Sequence, residues 1–295
     1  MLARLFYRMM AAQDGWAKAL GNTVQPWFNR LFGAMPPIRD FLIGRWLGHP
    51  IHAVLTDVPI GVLSLVIVFD FLGFPDVAVI TLGIGILALL GAALAGLADY
   101  ADTDGIARTR ATLHGTVMVT ALVIYLISFW LRLGSILYGS TAAIWLSVVG
   151  FLVLSAGAYV GGDVAYVLGN MVSRHAFRTA AGGGTKWATM EPAELEADGS
   201  IPQNRPVKAK LGASNLVLVR NGDDILAVHE ICAHAGGPLS EGKLVDGLIE
   251  CPWHYSRYRM TDGRVLRGPS VYDQPAYDVR PKEGGGWEAR RRPAG

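Results

Sequence analysis

The chain has 295 residues, of which 52% are hydrophobic and only 17% are charged, and its mean hydropathy is +0.34. Soluble globular proteins average about 25% charged residues, so part of this chain is expected to lie in a membrane. It has two cysteines, Cys232 and Cys251, which excludes a scaffold of several disulfides, a Cys₄ zinc site and an all-cysteine iron–sulfur cluster. The formal net charge of +2 gives no indication of a nucleic-acid partner.

Residues 1–48 mix basic side chains with Leu, Phe and Trp ahead of the first long apolar run. This composition is typical of an amphipathic segment that lies on a membrane surface. A solvated helix has a similar composition, so the sequence leaves both interpretations open for this cytoplasmic segment.

Residues 49–178 contain four apolar runs, which predict a four-helix α-helical transmembrane bundle. A spanning helix needs about 20 mainly apolar residues. The third run reaches that length only with its flanking residues, and the glycines of the second and fourth runs suit close helix packing in lipid. The runs cover about 53–74, 77–98, 115–130 and 141–168.

The basic residues predict the orientation of these helices, because Lys and Arg accumulate on the cytoplasmic side of a membrane. They are frequent before the first run, between the second and third runs, and after the fourth, whereas Arg132 is alone on the other side. We therefore expect a multi-pass protein of the inner (cell) membrane with both termini and the C-terminal domain in the cytoplasm.

The composition changes close to residue 190. The first glutamate is Glu191, and charged residues are dense from there onward. Three consecutive glycines at 182–184 are typical of a flexible connector. We expect a Gly-rich linker at 179–190 and a separate domain at 191–295.

Both cysteines belong to a repeated pattern: Cys232-Ala-His234, sixteen residues, then Cys251-Pro-Trp-His254. Each half supplies one thiolate and one imidazole. A [2Fe–2S] cluster with two Cys on one iron and two His on the other requires this ligand set. Zinc also accepts two Cys and two His, but zinc fingers pair Cys with Cys and His with His. The interleaved order therefore favours the cluster.

The two boxes resemble those of the Rieske iron–sulfur domain, as do the flanks at 225–228, 237–242, 262–265 and 268–269. The resemblance covers about 186–295. It implies a small all-β fold in which Cys232 and Cys251 bind the inner iron, and His234 and His254 bind the outer, solvent-facing iron. The chain is thus predicted to be a multi-domain protein in which a Rieske domain follows the transmembrane bundle.

Two departures from the Rieske proteins of quinol-oxidising cytochrome complexes concern the redox potential. Those proteins carry one more cysteine in each box, joined as a disulfide, and here Gly237 and Trp253 occupy the positions. Ser256 and Tyr258, however, stand where that subfamily places hydroxyls that hydrogen-bond the bridging sulfide and a ligand sulfur. Such bonds raise the potential. The missing disulfide and the matching hydroxyls point in opposite directions, and together they predict a middle potential in the Rieske range of about −150 to +300 mV.

The flanking runs at 216–220, 225–228 and 244–250 predict strands, and Asn221-Gly222 and Asp262-Gly263 predict turns. His229 fits neither ligand position and is interpreted as a strand-end residue.

Four further histidines, His49, His52, His114 and His175, map to the cytoplasmic ends of the predicted helices. The stretch Gly48-His-Pro-Ile-His52, continued by Asp57-Val-Pro-Ile-Gly61, resembles a predicted four-helix membrane family of unknown function that is commonly joined to Rieske domains. This resemblance covers about 46–178. Two interpretations stay open: two of the histidines ligate a haem b or another metal, or all four hydrogen-bond headgroups, carbonyls and nearby aspartates.

These features favour a membrane-bound electron-transfer protein that passes single electrons between a quinone, haem or reductase partner and an acceptor. Its partners would be membrane lipid and a redox protein or quinone. No catalytic residue is predicted, and an oxidoreductase component fits better than a stand-alone enzyme, because no mononuclear-iron triad or dinucleotide fingerprint appears. The alternatives are a membrane-anchored redox sensor and a transporter or structural membrane protein with an accessory cluster.

Overall fold

The computed structural model describes residues 2–134, 140–176 and 186–293. The described chain forms two compact units. The first comprises the residues up to Ile43 together with Pro50–Asn170, and the second comprises Gly44–His49 and the residues from Met171 onward. Residues 179–185 of the expected linker lie outside the described residues. The first strand begins at Ala188, before the expected end of the linker.

The first unit is helical, and four of its helices are long and apolar enough to cross a membrane, as predicted. The third of these is longer than the apolar run in the sequence, because it begins with polar turns that the run does not include. A π-helical turn at Asp163–Val167 continues the last helix. The helices are α1 Leu2–Ala11, α2 Asp14–Gly33, α3 Pro36–Leu42, α4 Ile51–Phe71, α5 Pro75–Tyr100, α6 Gly105–Leu133 and α7 Thr141–Gly162.

Helix α2 packs against the ends of α5 and α6. Gly21 allows the close approach, because a Cβ there would lie 2.5 Å from the Thr112 hydroxyl. The Asn29 amide donates a hydrogen bond of 3.0 Å to the Ala101 carbonyl. Trp27 nevertheless leaves 73% of its surface exposed. The N-terminal segment is thus attached to the bundle by one side and presents large apolar side chains on its remaining surface.

The helical hairpins α4–α5 and α6–α7 repeat one packing pattern. Residues of α4 correspond to residues of α6 at an offset of 62, and residues of α5 correspond to residues of α7 at an offset of 65. A Cβ on Gly85 would meet the Leu63 side chain at 2.5 Å, and a Cβ on Gly150 would meet the Tyr125 ring at 3.1 Å, at corresponding positions. Because α4 and α6 run in the same direction, the two hairpins are parallel repeats about a pseudo-twofold axis along the helices.

The offset of 62 also relates Asp70 to Arg132, which form a buried ion pair. The Arg132 guanidinium donates to both carboxylate oxygens of Asp70, at 2.7 and 2.6 Å, and to the Ser147 hydroxyl at 3.1 Å. The two charged side chains are 0% and 1% exposed. Arg132, which is alone on its side of the membrane in the sequence analysis, is therefore a buried residue that joins the two hairpins.

The second unit is a β domain with a closed six-stranded barrel, in the order β1-β10-β9-β4-β3-β2, and a four-stranded sheet, β5-β6-β7-β8. The single strand predicted at 244–250 is wrong: a turn at Asp246-Gly247 divides it into β5 and β6. Both turn residues have positive φ, 53° and 76°, as a two-residue hairpin requires. The strands are β1 Ala188–Pro192, β2 Val207–Leu211, β3 Ser214–Asn221, β4 Asp224–His229, β5 Lys243–Val245, β6 Leu248–Glu250, β7 Arg257–Arg259, β8 Val265–Arg267, β9 Ala276–Pro281 and β10 Trp287–Arg291.

Candidate metal centre

Two loops of the β domain carry the predicted ligands, and both loops fold in the same way. One follows β4 and the other follows β6. In each, the cysteine carbonyl accepts a 3.0 Å hydrogen bond from the N–H four residues later, and the cysteine N–H donates at 2.9 Å to the carbonyl five residues later. The fourth position has a positive φ in both loops, 91° at Gly236 and 64° at Tyr255. The repeated sequence pattern therefore has a repeated backbone.

The structure brings the four candidate ligands together as a pair of thiols and a pair of imidazoles. Cys232 and Cys251 are 1% exposed and belong to one buried core. The rings of His234 and His254 have centroids 5.0 Å apart and are nearly perpendicular. Within the described ranges, no three His, Cys, Asp or Glu side chains are grouped to hold a single ion. A binuclear cluster, which takes two protein ligands on each iron, fits this donor set better than one zinc ion does.

The two thiols differ in acidity because one donates to the other. A hydrogen bond from Cys232 lowers the pKa of Cys251 to about 7, and the backbone N–H groups of Trp253 and His254 contribute in the same direction. That same bond, together with burial, raises the pKa of Cys232 well above its ordinary value. The backbone N–H groups of the second loop thus favour a thiolate at Cys251.

Tyr258 and Ser256 lie beside the cysteines in the interior. The Tyr258 hydroxyl is 3.1 Å from the Cys232 sulfur, and burial raises the pKa of this phenol well above its ordinary value, so it remains a hydrogen-bond donor. The Ser256 hydroxyl is fully buried and accepts a 2.9 Å hydrogen bond from the Ser270 N–H.

Gly237 and Trp253 meet where the two loops approach each other. A Cβ on Gly237 would lie 2.8 Å from the Cys251 sulfur and 3.0 Å from the Trp253 indole. At the two positions where the resemblance to the quinol-oxidising complexes would place a disulfide, the Trp253 indole therefore packs against a glycine.

Comparison with known proteins identifies both parts of the chain. Residues 191–278 match the family described as the Rieske [2Fe-2S] domain. The β domain belongs to the Rieske family. Residues 48–174 match DUF2231, described as a predicted membrane protein. The predicted fold class, a helical membrane bundle followed by a Rieske domain, is confirmed.

Among curated proteins, the Rieske domain is similar to ferredoxin components. It is 33% identical over 75 residues to ferredoxin CarAc of Metapseudomonas resinovorans, covering 25% of this chain and 70% of that protein. It is 29% identical over 90 residues to the anthranilate 1,2-dioxygenase ferredoxin subunit of Burkholderia cepacia, covering 30% of this chain and 83% of that subunit. Among solved structures, the ferredoxin of carbazole 1,9a-dioxygenase from Nocardioides aromaticivorans is 26% identical with a TM-score of 0.29, covering 35% of this chain and 99% of that one.

Gln274 is a buried residue that holds the first ligand loop of the Rieske domain and that the sequence analysis missed. Its amide nitrogen donates to the carbonyls of His229 and Ile231, at 2.8 and 2.5 Å, and its amide oxygen accepts the Ala233 N–H at 2.9 Å. Three backbone groups next to Cys232 are thereby fixed. No motif marks a lone glutamine some forty residues away, so only the folded chain identifies it.

The four remaining histidines do not form one group. His175 packs on the Rieske domain, where its Nε2 lies 2.9 Å from the Ile231 carbonyl oxygen and its ring is 4.6 Å from that of His229. His49 is exposed in the short segment that belongs to the same unit. His52 and His114 alone come together among the four, in the helical unit, with ring centroids 6.3 Å apart. Of the four histidines that the sequence maps to one face of the membrane, the structure thus pairs only His52 with His114.

Proposed function

We propose that this protein is a membrane-bound electron-transfer protein whose Rieske domain holds its [2Fe–2S] cluster through Cys232, Cys251, His234 and His254. The observation that carries the proposal is the pairing of donors, thiol with thiol and imidazole with imidazole, on two loops that share the same backbone hydrogen bonds. The cluster supplies one-electron exchange when it is bound. The protein supplies its ligands, the Tyr258 hydroxyl beside one sulfur, and a buried setting for the cysteines.

A protein redox partner is the partner that the relatives support. The similar ferredoxins are named as components of dioxygenase systems. Beside His254, the side chains of Trp253 and Tyr255 are 53% and 61% exposed. Aromatic residues at an exposed rim are typical of protein contact surfaces. A quinone is the second candidate, and its support is the membrane location alone.

We place the protein in the inner membrane with the Rieske domain in the cytoplasm. The four apolar helices and the membrane-protein family of residues 48–174 support membrane insertion. The excess of Lys and Arg before α4, between α5 and α6, and after α7 supports the orientation.

The alternative functions have less support. A transporter that uses Asp57 or Asp70 is the first alternative, and both carboxylate oxygens of Asp70 already accept hydrogen bonds from Arg132. A membrane-anchored redox sensor would use the same cluster. It differs from an electron carrier in that it would not pass electrons repeatedly from a donor to an acceptor.

The test is low-temperature EPR of the full-length protein reduced with dithionite. We expect a rhombic Rieske signal that Cys251→Ser abolishes and that His49→Ala, the control at an exposed histidine, leaves unchanged. If the protein in the same preparation is reduced by a ferredoxin reductase and passes the electrons on to an acceptor repeatedly, this turnover supports an electron carrier. Bound zinc in place of iron would contradict the cluster, and a cluster that accepts electrons without passing them on would favour the sensor.

A further inference from the structure

We propose that His52 and His114 form a bis-imidazole site for the iron of a haem b inside the α4–α7 bundle. The use of such a haem as a second electron carrier rests on the proposed electron-transfer function, whereas its binding does not depend on the cluster.

The two histidines are equivalent positions of the internal repeat. They are related by the offset of 62 that also relates Leu63 to Tyr125 and Asp70 to Arg132. His52 and His114 therefore face the bundle interior from α4 and α6, across the pseudo-twofold axis, and come within 6.3 Å of each other. A flat ligand that binds one imidazole on each of its two faces suits this placement.

Each imidazole is held in the tautomer that a metal ligand needs. Nδ1 of His52 lies 2.8 Å from the Ala92 carbonyl oxygen, and Nδ1 of His114 lies 2.8 Å from the Gly157 carbonyl oxygen. A carbonyl only accepts, so each Nδ1 carries the proton and each Nε2 keeps its lone pair. Metal-binding histidines are oriented in this way by a backbone carbonyl.

The spacing of the rings matches coordination from opposite sides of one metal ion. Two metal–nitrogen bonds of about 2.1 Å, with about 1.1 Å from each nitrogen to its ring centre, put the centroids about 6.4 Å apart. The observed separation is 6.3 Å, and the planes are 73° apart.

The number of protein ligands selects haem among the possible metals. In the segments that the structure describes, no third His, Cys, Asp or Glu completes a group around the pair. Zinc and non-haem iron sites take three or four protein ligands. Haem iron already has four porphyrin nitrogens, so it takes only one or two ligands from the protein, and His52 and His114 would supply two.

Two glycines at equivalent positions set the ring positions. A Cβ on Gly96 would lie 2.8 Å from the His52 ring, and a Cβ on Gly161 would lie 3.0 Å from the His114 ring. Gly91, on the same helix as Gly96, has open space around it. Gly96 and Gly161 are thus positioning residues, and Gly91 provides a matched control.

The test is the dithionite-reduced minus oxidised visible spectrum and the pyridine haemochrome of full-length protein from haem-replete cells. We expect about one haem b per chain, its loss in His52→Ala and in His114→Ala, and its retention in His49→Ala. Gly96→Ala should lower the haem content several-fold, while Gly91→Ala should not. Because His114→Met keeps a ligand atom, it should shift the absorption bands without abolishing them. The Rieske EPR signal of each variant reports separately on folding and on the cluster.

A wild-type protein without a b-type spectrum would overturn the proposal, even with a full Rieske signal. Haem retained in both alanine variants would overturn the ligand assignment, and copper lost in both variants in place of haem would overturn the choice of haem. Haem present without a Rieske signal would leave this site standing and refute the cluster proposal instead.

Discussion

The residues around the two cysteines set the properties of the Rieske site through direct contacts with sulfur. The Cys232 sulfur is hydrogen-bonded to the Tyr258 hydroxyl. The Cys251 sulfur packs against Gly237, where any side chain would collide with it. The first contact stabilises added negative charge, and the second makes room for the sulfur. Each of them is a single atom group that a conservative substitution can remove or add.

Tyr258→Phe removes the hydroxyl 3.1 Å from the Cys232 sulfur and should lower the potential of the cluster, because this hydrogen bond favours the reduced form. A net bond energy of about 0.5–1.5 kcal/mol corresponds to about 20–60 mV for one electron. EPR-monitored redox titration measures the shift. Tyr255→Phe, at the exposed tyrosine of the second loop, should change it little, and an unchanged or higher potential in Tyr258→Phe would contradict the assignment.

Gly237→Ala introduces a methyl group 2.8 Å from the Cys251 sulfur and 3.0 Å from the Trp253 indole. The contact requires the two loops to separate, so we expect most of the cluster content to be lost. Iron and labile sulfide analysis of the purified protein measures this loss. Gly33→Ala, where a Cβ would meet nothing within 4 Å, serves as the control. Wild-type cluster content in Gly237→Ala would show that the loops adapt.

The sequence identifies the candidate cluster ligands, but it does not identify the residues that hold the ligand loops in position. Cys232, His234, Cys251 and His254 are recognisable because chemistry fixes their types and spacing. Gln274 is not, since its role is to pair three backbone groups that become neighbours only after folding. His175 is assigned to the wrong unit from the sequence, because nothing in the sequence indicates that the chain after α7 packs on the Rieske domain.

At the level of elements, the membrane unit consists of two similar hairpins joined by polar contacts at their interface. Apolar periodicity locates the spans, but it does not reveal the repeat, because few residues are identical between α4 and α6. The repeat becomes visible in pairs that contact each other, such as Gly85 with Leu63 and Gly150 with Tyr125. Similarly, the Asp246-Gly247 turn is hidden within an apolar run of strand-forming residues.

Asp70→Asn should destabilise the membrane unit by about 3–5 kcal/mol, since it leaves the fully buried Arg132 without its counter-charge. The midpoint of thermal unfolding in detergent, followed by loss of the monodisperse peak, measures the effect. Asp70→Asn combined with Arg132→Met removes the uncompensated charge and should recover much of the loss. A double variant no more stable than Asp70→Asn would contradict the ion-pair explanation.

On the scale of the whole molecule, the apolar bundle has one pair of polar side chains near each of its two ends. The His52 and His114 rings form one pair, and Asp70 and Arg132 form the other. His52 and Asp70 are eighteen positions apart on helix α4, which is about 27 Å at 1.5 Å per residue. This separation is close to the hydrocarbon thickness of a bilayer, about 30 Å. The bundle is thus matched to a single membrane crossing by each helix.

The orientation predicts which side of the membrane each end of the bundle faces. In intact spheroplasts, a membrane-impermeant maleimide should label Ser140→Cys, at the start of α7, and should label Lys18→Cys, in α2, only after permeabilisation. The parent protein is the control, because its two cysteines are 1% exposed. The opposite labelling pattern would reverse the proposed orientation.

The Asp70–Arg132 pair also has a consequence for biosynthesis. Its two halves lie 62 residues apart in the chain, so at about 5–20 residues per second Asp70 leaves the ribosome roughly 3–12 s before Arg132. During that interval the Asp70 carboxylate has no counter-ion from the chain, and its position near the end of α4 leaves it close to interfacial water. The buried ion pair therefore forms only after α6 has been inserted beside α4.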